Sequence, residues 1–199
     1  MSYTSNTRKK GKDSSEDSKY DTWIYRFIHS PGNEGLLYVP ESFFEDRFNL
    51  IGLSDVITDI EEAYSVMLDD MYSSEFYGAD KLYLMTHQRY ILTKAGMEHM
   101  MKLIKEGYYG RCKRIGCEKT PLIPIGLSHL PGKSKACLYC NTCNNIYESD
   151  KKTFNVDGCA FGRTFPHLLI LTYPQYFPTI QHGTYIPRIF GFKIGKEED

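Results

Sequence analysis

Apolar residues recur at helical spacing through residues 21–107, and that rhythm stops afterwards. "DTWIYRFI" sets Trp23, Ile24, Phe27 and Ile28 on one face, and Ser30-Pro31-Gly32 ends it. "PESFFEDRFNL" opens on Pro40, which suits a first helical turn, and its spacing predicts that Phe44 and Phe48 are buried. In "SDVITDIEEAYSVMLDDMY", Ser54 reads as an N-cap, and Ile57, Ile60, Tyr64, Met67, Leu68 and Met71 keep the helical period. "DKLYLMTHQRYIL" continues the pattern. The last helix starts at the cap Thr93, carries the stripe Met97, Met100, Met101 and Ile104, and stops at Gly107. Such a Met-rich stripe predicts core packing.

After Gly107 the content of Pro, Gly and Cys rises. "HLLILTY" (167–173), closed by Pro174, reads as a buried strand. The predicted fold class is α+β: a helical N-terminal subdomain, a zinc-ribbon β module and an extended C-terminal segment. The expected divisions are a disordered tail at 1–20, the helical subdomain at 21–108, the zinc-ribbon module at 109–162 and a C-terminal strand with an exposed aromatic segment at 163–199.

Composition narrows the function. With 24 basic and 25 acidic residues in 199, the formal charge is -1, which argues against a nucleic-acid or membrane partner. No run nears the roughly 18 apolar residues of a membrane helix. The first residues have no apolar core of a secretory signal, so the chain reads as cytoplasmic and nuclear. The basic run at 8–12 reads as solvated tail rather than an import signal. In a reducing compartment, six cysteines read as metal ligands or buried small hydrophobes rather than disulfides.

Four of the six fall into two close pairs. Cys112 and Cys117 have four residues between them, Cys140 and Cys143 have two, and twenty-two separate the pairs. Two tight turns that each aim two sulfurs at one point, joined by a hairpin, are what a zinc ribbon requires. Zinc takes four thiolates tetrahedrally at about 2.3 Å and keeps no open position, so one structural Zn2+ per chain is expected. Cys137, three residues before Cys140, could compete for the metal but reads with Cys159 as a non-ligand thiol, and His129 and His167 lack a partner at that spacing. A redox Cys-x-x-Cys would leave Cys112 and Cys117 unexplained. No phosphate loop, kinase signature, nucleophile elbow or H-E-x-x-H helix occurs, so the chain does not read as an enzyme.

Several stretches together then resemble one family, the regulatory beta subunit of casein kinase II. They are "GNE" (32–34), "DRFNLIGL" (46–53), "RYILTKAG" (89–96), the four cysteines, "PIGLSHLPG" (124–132), "DGCAFGRTFPH" (157–167) and "IPRIFGFKI" (186–194). The resemblance runs from about Trp23 to Ile194. It implies a non-catalytic homodimer, paired through the zinc module, that carries two catalytic kinase subunits and alters which protein substrates they phosphorylate. It places the zinc ligands at Cys112, Cys117, Cys140 and Cys143. It puts Ile115 and Ile146 at the dimer interface, and Phe190, Gly191 and Phe192 in the kinase-docking motif. Phe190 stands where the family commonly has tyrosine. The family's acidic loop is thin here, with only Asp69, Asp70, Glu75 and Asp80. Ser14 and Ser18 each have an aspartate three positions on, the pattern that the partner kinase prefers. The competing reading is a zinc-ribbon nucleic-acid-binding or transcription-associated module, for which "RCKR" (111–114) is the only local support.

Overall fold

In a computed structural model of the chain, the described residues are 22–69, 78–117, 119–149, 154–177 and 186–194. The expectations for the tail at 1–20, Ser14 and Ser18, Met71, and the acidic residues Asp70 and Glu75 lie outside them. The described residues mix helices with small antiparallel sheets, consistent with an α+β class. Among them, no helix is long and apolar enough to cross a membrane.

Helix α1 (Trp23–Ile28) is capped by the Thr22 side chain, which accepts from the Tyr25 N–H, and it buries Trp23 and Ile24. Helix α2 (Glu41–Glu45) follows directly on Pro40, which is its N-cap rather than part of its first turn. Phe44 is fully buried, but Phe48 is 76% exposed, against expectation. The reason is a change of winding. Asp46 caps a new 3₁₀ turn at Arg47–Leu50, so Phe48 leaves the face that Phe44 occupies.

Helix α3 (Ile60–Met67) also starts later than expected, at the N-cap Asp59 rather than Ser54. Ser54 lies within a separate 3₁₀ turn, Leu53–Asp55. The β-branched run Val56-Ile57-Thr58 crowds a helix and interrupts it there. Ile57 is nonetheless buried, so the apolar period reported burial correctly and the helix start wrongly.

Helix α4 (Ala79–Tyr90) is the central beam, and it buries a polar side chain on each of two successive turns. The Tyr83 hydroxyl accepts from Val39 N–H at 3.1 Å and donates to Leu37 carbonyl at 2.6 Å. One turn on, His87 Nε2 accepts from Leu37 N–H at 3.0 Å, and Nδ1 lies 2.8 Å from the Ala160 carbonyl. Leu37 N–H can only donate, so the neutral ring carries its proton on Nδ1. These two side chains pair the buried backbone of Leu37 and Val39. Burial, only partly opposed by the Ala160 hydrogen bond, lowers the His87 pKa to about 4.

Helix α5 (Lys94–Glu106) is framed as predicted. Thr93 accepts from Gly96 N–H, and Gly107 closes the helix in a left-handed conformation at φ 77°. Its stripe Met97, Met100, Met101 and Ile104 is buried.

Strands β1 (Ile123–Ile125), β2 (Cys137–Cys140) and β3 (Asn145–Tyr147) form an antiparallel sheet in that order. Its register sets Ile123 opposite Tyr139 and Leu138 opposite Tyr147. Gly126 follows β1, and a Cβ there would fall 1.8 Å from the Gly158 carbonyl oxygen. Only glycine lets the 3₁₀ turn Gly158–Ala160 approach this closely, and that turn is the one His87 holds.

The run expected as a buried strand is helix α6 (Phe165–Thr172). Pro166 in its first turn starts it, and Phe165, Pro166 and Leu169 form its buried side, packed on β1. Leu171 is 76% exposed, which an all-apolar strand in a core would not leave. Strands β4 (Arg188–Ile189) and β5 (Phe192–Lys193) make a separate two-stranded hairpin. The buried residues of the helices and of the three-stranded sheet form one continuous core.

Candidate metal centre and exposed hairpin

The two cysteine pairs sit on tight backbone turns. Cys112 N–H donates to the Thr120 carbonyl at 2.8 Å, and Thr120 N–H donates back to the Cys117 carbonyl at 2.9 Å. Within this first turn, Lys119 adopts a positive φ of 59°. The second turn leaves the end of β2 at Cys140 and reverses through Asn144, at φ 54°, into β3. Two threonines stitch the turns together. Thr120 Oγ1 and Thr142 Oγ1 are 2.7 Å apart, and Thr120 Oγ1 also donates to the Cys117 carbonyl at 2.6 Å.

The result is a cluster of four sulfurs. The ligand atoms of Cys112, Cys117, Cys140 and Cys143 all lie within 4.8 Å of one another. Cys112 and Cys143, one from each turn, are 3.9 Å apart. A tetrahedral zinc at about 2.3 Å from each sulfur sets sulfur–sulfur separations of roughly 3.8 Å. The four thiols therefore fit such an ion, and none of them is in a disulfide. Among the described residues, this is the group that could hold a metal. Cys137 and Cys159 lie apart from it.

The electrostatics of the cluster favour a cation. Burial, followed by contacts with Cys112 and Cys143, pushes the Cys117 thiol up. Burial also raises Cys140, to about 11, although backbone N–H groups of Cys143 and Thr142 oppose it. Cys143 is lowered to about 6. Burial works against its ionisation, but hydrogen bonds from Tyr147, Cys140, Cys117 and the Asn145 N–H outweigh it. One thiolate forms readily, and its neighbours then resist ionising beside it. A divalent cation at the centre reverses that repulsion. Outside the cluster, burial and then Asp157 push the Cys159 thiol up, and burial and then Glu148 raise Cys137. Both shifts favour the protonated thiol.

The remaining predicted residues lie on the surface. Ile115, inside the first turn, is 73% exposed, and Ile146, in β3, is 48% exposed. Phe190 and Gly191 form the two-residue loop between β4 and β5, and both have positive φ, 47° and 88°. This is the left-handed pair that a tight hairpin of matching twist demands. Glycine meets the demand freely, and phenylalanine does so under strain. Phe190 is 97% exposed and Phe192 79%, with Ile186, Ile189 and Ile194 also open to solvent. Arg188 Nη1 braces the loop on the Gly191 carbonyl at 3.1 Å.

Sequence reasoning passed over three groups at this site: Thr120, Thr142 and Tyr147. Tyr147 brings its hydroxyl to 3.0 Å from Cys143 Sγ. Position alone marked the threonines, one inside the second pair and one three residues past the first. Asp69, counted with the thin acidic loop, instead accepts from Trp23 N–H at 2.7 Å and closes the start of α1.

The sequence profile of the casein kinase II regulatory subunit matches residues 22–193. Casein kinase II subunit beta of Dictyostelium discoideum is 38% identical over 184 residues, 87% of this chain and 69% of that protein. Its counterpart in Schizosaccharomyces pombe is 35% identical over 189 residues, covering 90% and 81%. Casein kinase II subunit beta' of Drosophila melanogaster is 36% identical over 188 residues, covering 89% and 86%.

Proposed function

The chain belongs to the casein kinase II regulatory subunit family, whose members are the regulatory and not the catalytic subunit, and from that premise we propose how it works. It dimerises through a zinc-ribbon module, docks two catalytic kinase subunits by its C-terminal hairpin, stabilises them and shifts their choice of protein substrate. The proposed organisation is a tail at 1–20, a helical subdomain at 21–108, the zinc-ribbon module at 109–162 and the C-terminal segment at 163–199. The complex works in cytoplasm and nucleus, and it phosphorylates its own regulatory subunit at Ser14 and Ser18.

Cys112, Cys117, Cys140 and Cys143 would hold one zinc. Bound there, zinc supplies cross-linking and charge neutralisation, with no coordination position open for a substrate. The chain's own residues do the rest. Thr120 and Thr142 set the distance between the two turns, and the exposed Ile115 of the first turn and Ile146 of β3 are the apolar residues offered to a second copy.

The observation that carries the docking reading is the exposure of Phe190 and Phe192 on a braced two-residue loop. Large apolar rings left in solvent at a hairpin tip contribute nothing to their own fold. In a partner's pocket, such anchors are worth about 2 kcal/mol or more. Isothermal calorimetry of Phe190→Ala plus Phe192→Ala against the catalytic subunit tests this. Affinity should fall about a hundredfold or more, with zinc content and dimerisation unchanged. Unchanged affinity would move docking to another surface. Loss of zinc or dimer would make the rings structural.

A further inference from the structure

We propose that the Tyr147 hydroxyl is a positioning donor for the metal centre, hydrogen-bonded to the Cys143 sulfur and setting how tightly and how inertly the four cysteines hold their ion. The inference rests on the reading that these cysteines bind zinc.

The geometry is specific to this side chain. Tyr147 ends β3, and its cross-strand partner is Leu138. Strand alternation sends its ring to the opposite side from the exposed Ile146. The ring packs half-buried against the core, which fixes the hydroxyl beside the sulfurs. The oxygen lies 3.0 Å from Cys143 Sγ and 3.8 Å from Cys112 Sγ, one sulfur from each turn. A metal-bound thiolate accepts and cannot donate. The single hydroxyl hydrogen therefore points to the nearer sulfur, Cys143, and the proton stays on the tyrosine oxygen.

Two effects follow. The donor withdraws electron density from Cys143 and lowers the charge four thiolates would otherwise crowd around one ion. It also blocks the sulfur of a half-buried ligand from attacking electrophiles. Cys112, Cys117 and Cys140 are buried and shielded by packing, whereas Cys143 is the partly exposed member of the set. The hydroxyl thus guards the sulfur that packing leaves accessible.

The test uses the full chain and the variant Tyr147→Phe, which keeps the ring and deletes one oxygen. Zinc affinity is read by chelator competition, the sulfur-to-metal charge-transfer band by cobalt(II) substitution, and sulfur reactivity by alkylation of the zinc-loaded protein with mass mapping. Loss of an outer-shell partner lowers metal affinity by about ten- to a hundredfold, and that loss is expected here. The cobalt band should move to lower energy, and Cys143 should become the first cysteine alkylated. Tyr139→Phe is the control. Its hydroxyl donates to Asn144 Oδ1 at 2.8 Å in the same turn and reaches no sulfur. It should leave the cobalt band and the order of alkylation unchanged.

An unchanged band and alkylation pattern in Tyr147→Phe would overturn the proposal, as would an equal shift in Tyr139→Phe. A Tyr147→Phe chain that lost its circular-dichroism signal in excess zinc would overturn it too, because one hydrogen bond to sulfur does not hold a fold. A wild-type chain that bound no zinc would instead refute the metal reading itself. Zinc-replete wild type beside an indifferent Tyr147→Phe would refute only the role of Tyr147.

Discussion

The helical region and the cysteine-bearing sheet hold themselves together by different means. Helices α4 and α5 run for 12 and 13 residues and bury long stripes of side chains. The sheet's strands are only 3, 4 and 3 residues long. The first region draws its stability from apolar area, with Tyr83 and His87 satisfying the backbone that passes through it. The sheet shares that core through Ile123, Ile125, Leu138 and Tyr139, but its short strands add little of their own, and it carries the four-cysteine cluster that a bound metal would cross-link. The two regions should therefore fail under different insults.

The largest expected effect separates them. Apparent zinc binding at such sites is about 10–16 kcal/mol. Cys140→Ser, or a strong chelator, should abolish amide-exchange protection in β1–β3 and dissociate the proposed dimer. Protection in α4 and α5 should persist in part. Protected strands in a zinc-free chain would mean that packing alone holds the sheet.

A smaller effect tests what the sheet's surface is for. Ile115→Asp plus Ile146→Asp would bury charge at the proposed dimer contact. An uncompensated buried charge costs about 3 kcal/mol or more, so dimerisation should weaken by roughly a hundredfold or more. Light scattering reads the mass, and zinc content should not change. A dimer that survived would place pairing elsewhere.

The smallest effect acts on the helical region, and comparison with His87→Gln separates it from proton competition at the cysteines. His87 has a folded pKa of about 4 against an ordinary 6.5. Between those values the unfolded chain binds more protons, so the stability contribution is full above pH 6.5 and drains away as pH falls toward 4. Protonating Nε2 also removes the acceptor for Leu37 N–H. By pH 5 the loss should reach about 2 kcal/mol. Denaturant titrations at pH 7 and pH 5 should show this slope in the wild type and lack it in His87→Gln. Equal slopes would remove His87 from the acid response.

These contrasts also explain what was legible in the sequence. The four cysteines were readable because a metal set is local in spacing, and the structure brings all four within reach of one point. The Met stripe, the Thr93 cap and the Gly107 stop were readable because helix chemistry is local too. Phe48 and Ser54 misled because apolar spacing reports burial more faithfully than winding, and short 3₁₀ turns interrupt the helical period without erasing it. Residues 167–173 misled because an all-apolar run has no visible period, and the early Pro166 was the signal that decided for helix. His87 was illegible. Its partners, Leu37 and Ala160, are 50 and 73 residues away, and nothing near it in the chain announces them.

The left-handed φ of Phe190 has a kinetic and thermodynamic consequence for any partner of the hairpin. A two-stranded hairpin is only marginally stable in water, and a phenylalanine at this position tilts it further toward open forms. Only the fraction of molecules with the turn closed is competent to dock, and apparent affinity is reduced by that fraction. Affinity therefore has a dial separate from the contacts themselves. Whatever raises the closed population tightens binding with no new interaction across the interface, and whatever opens it speeds release.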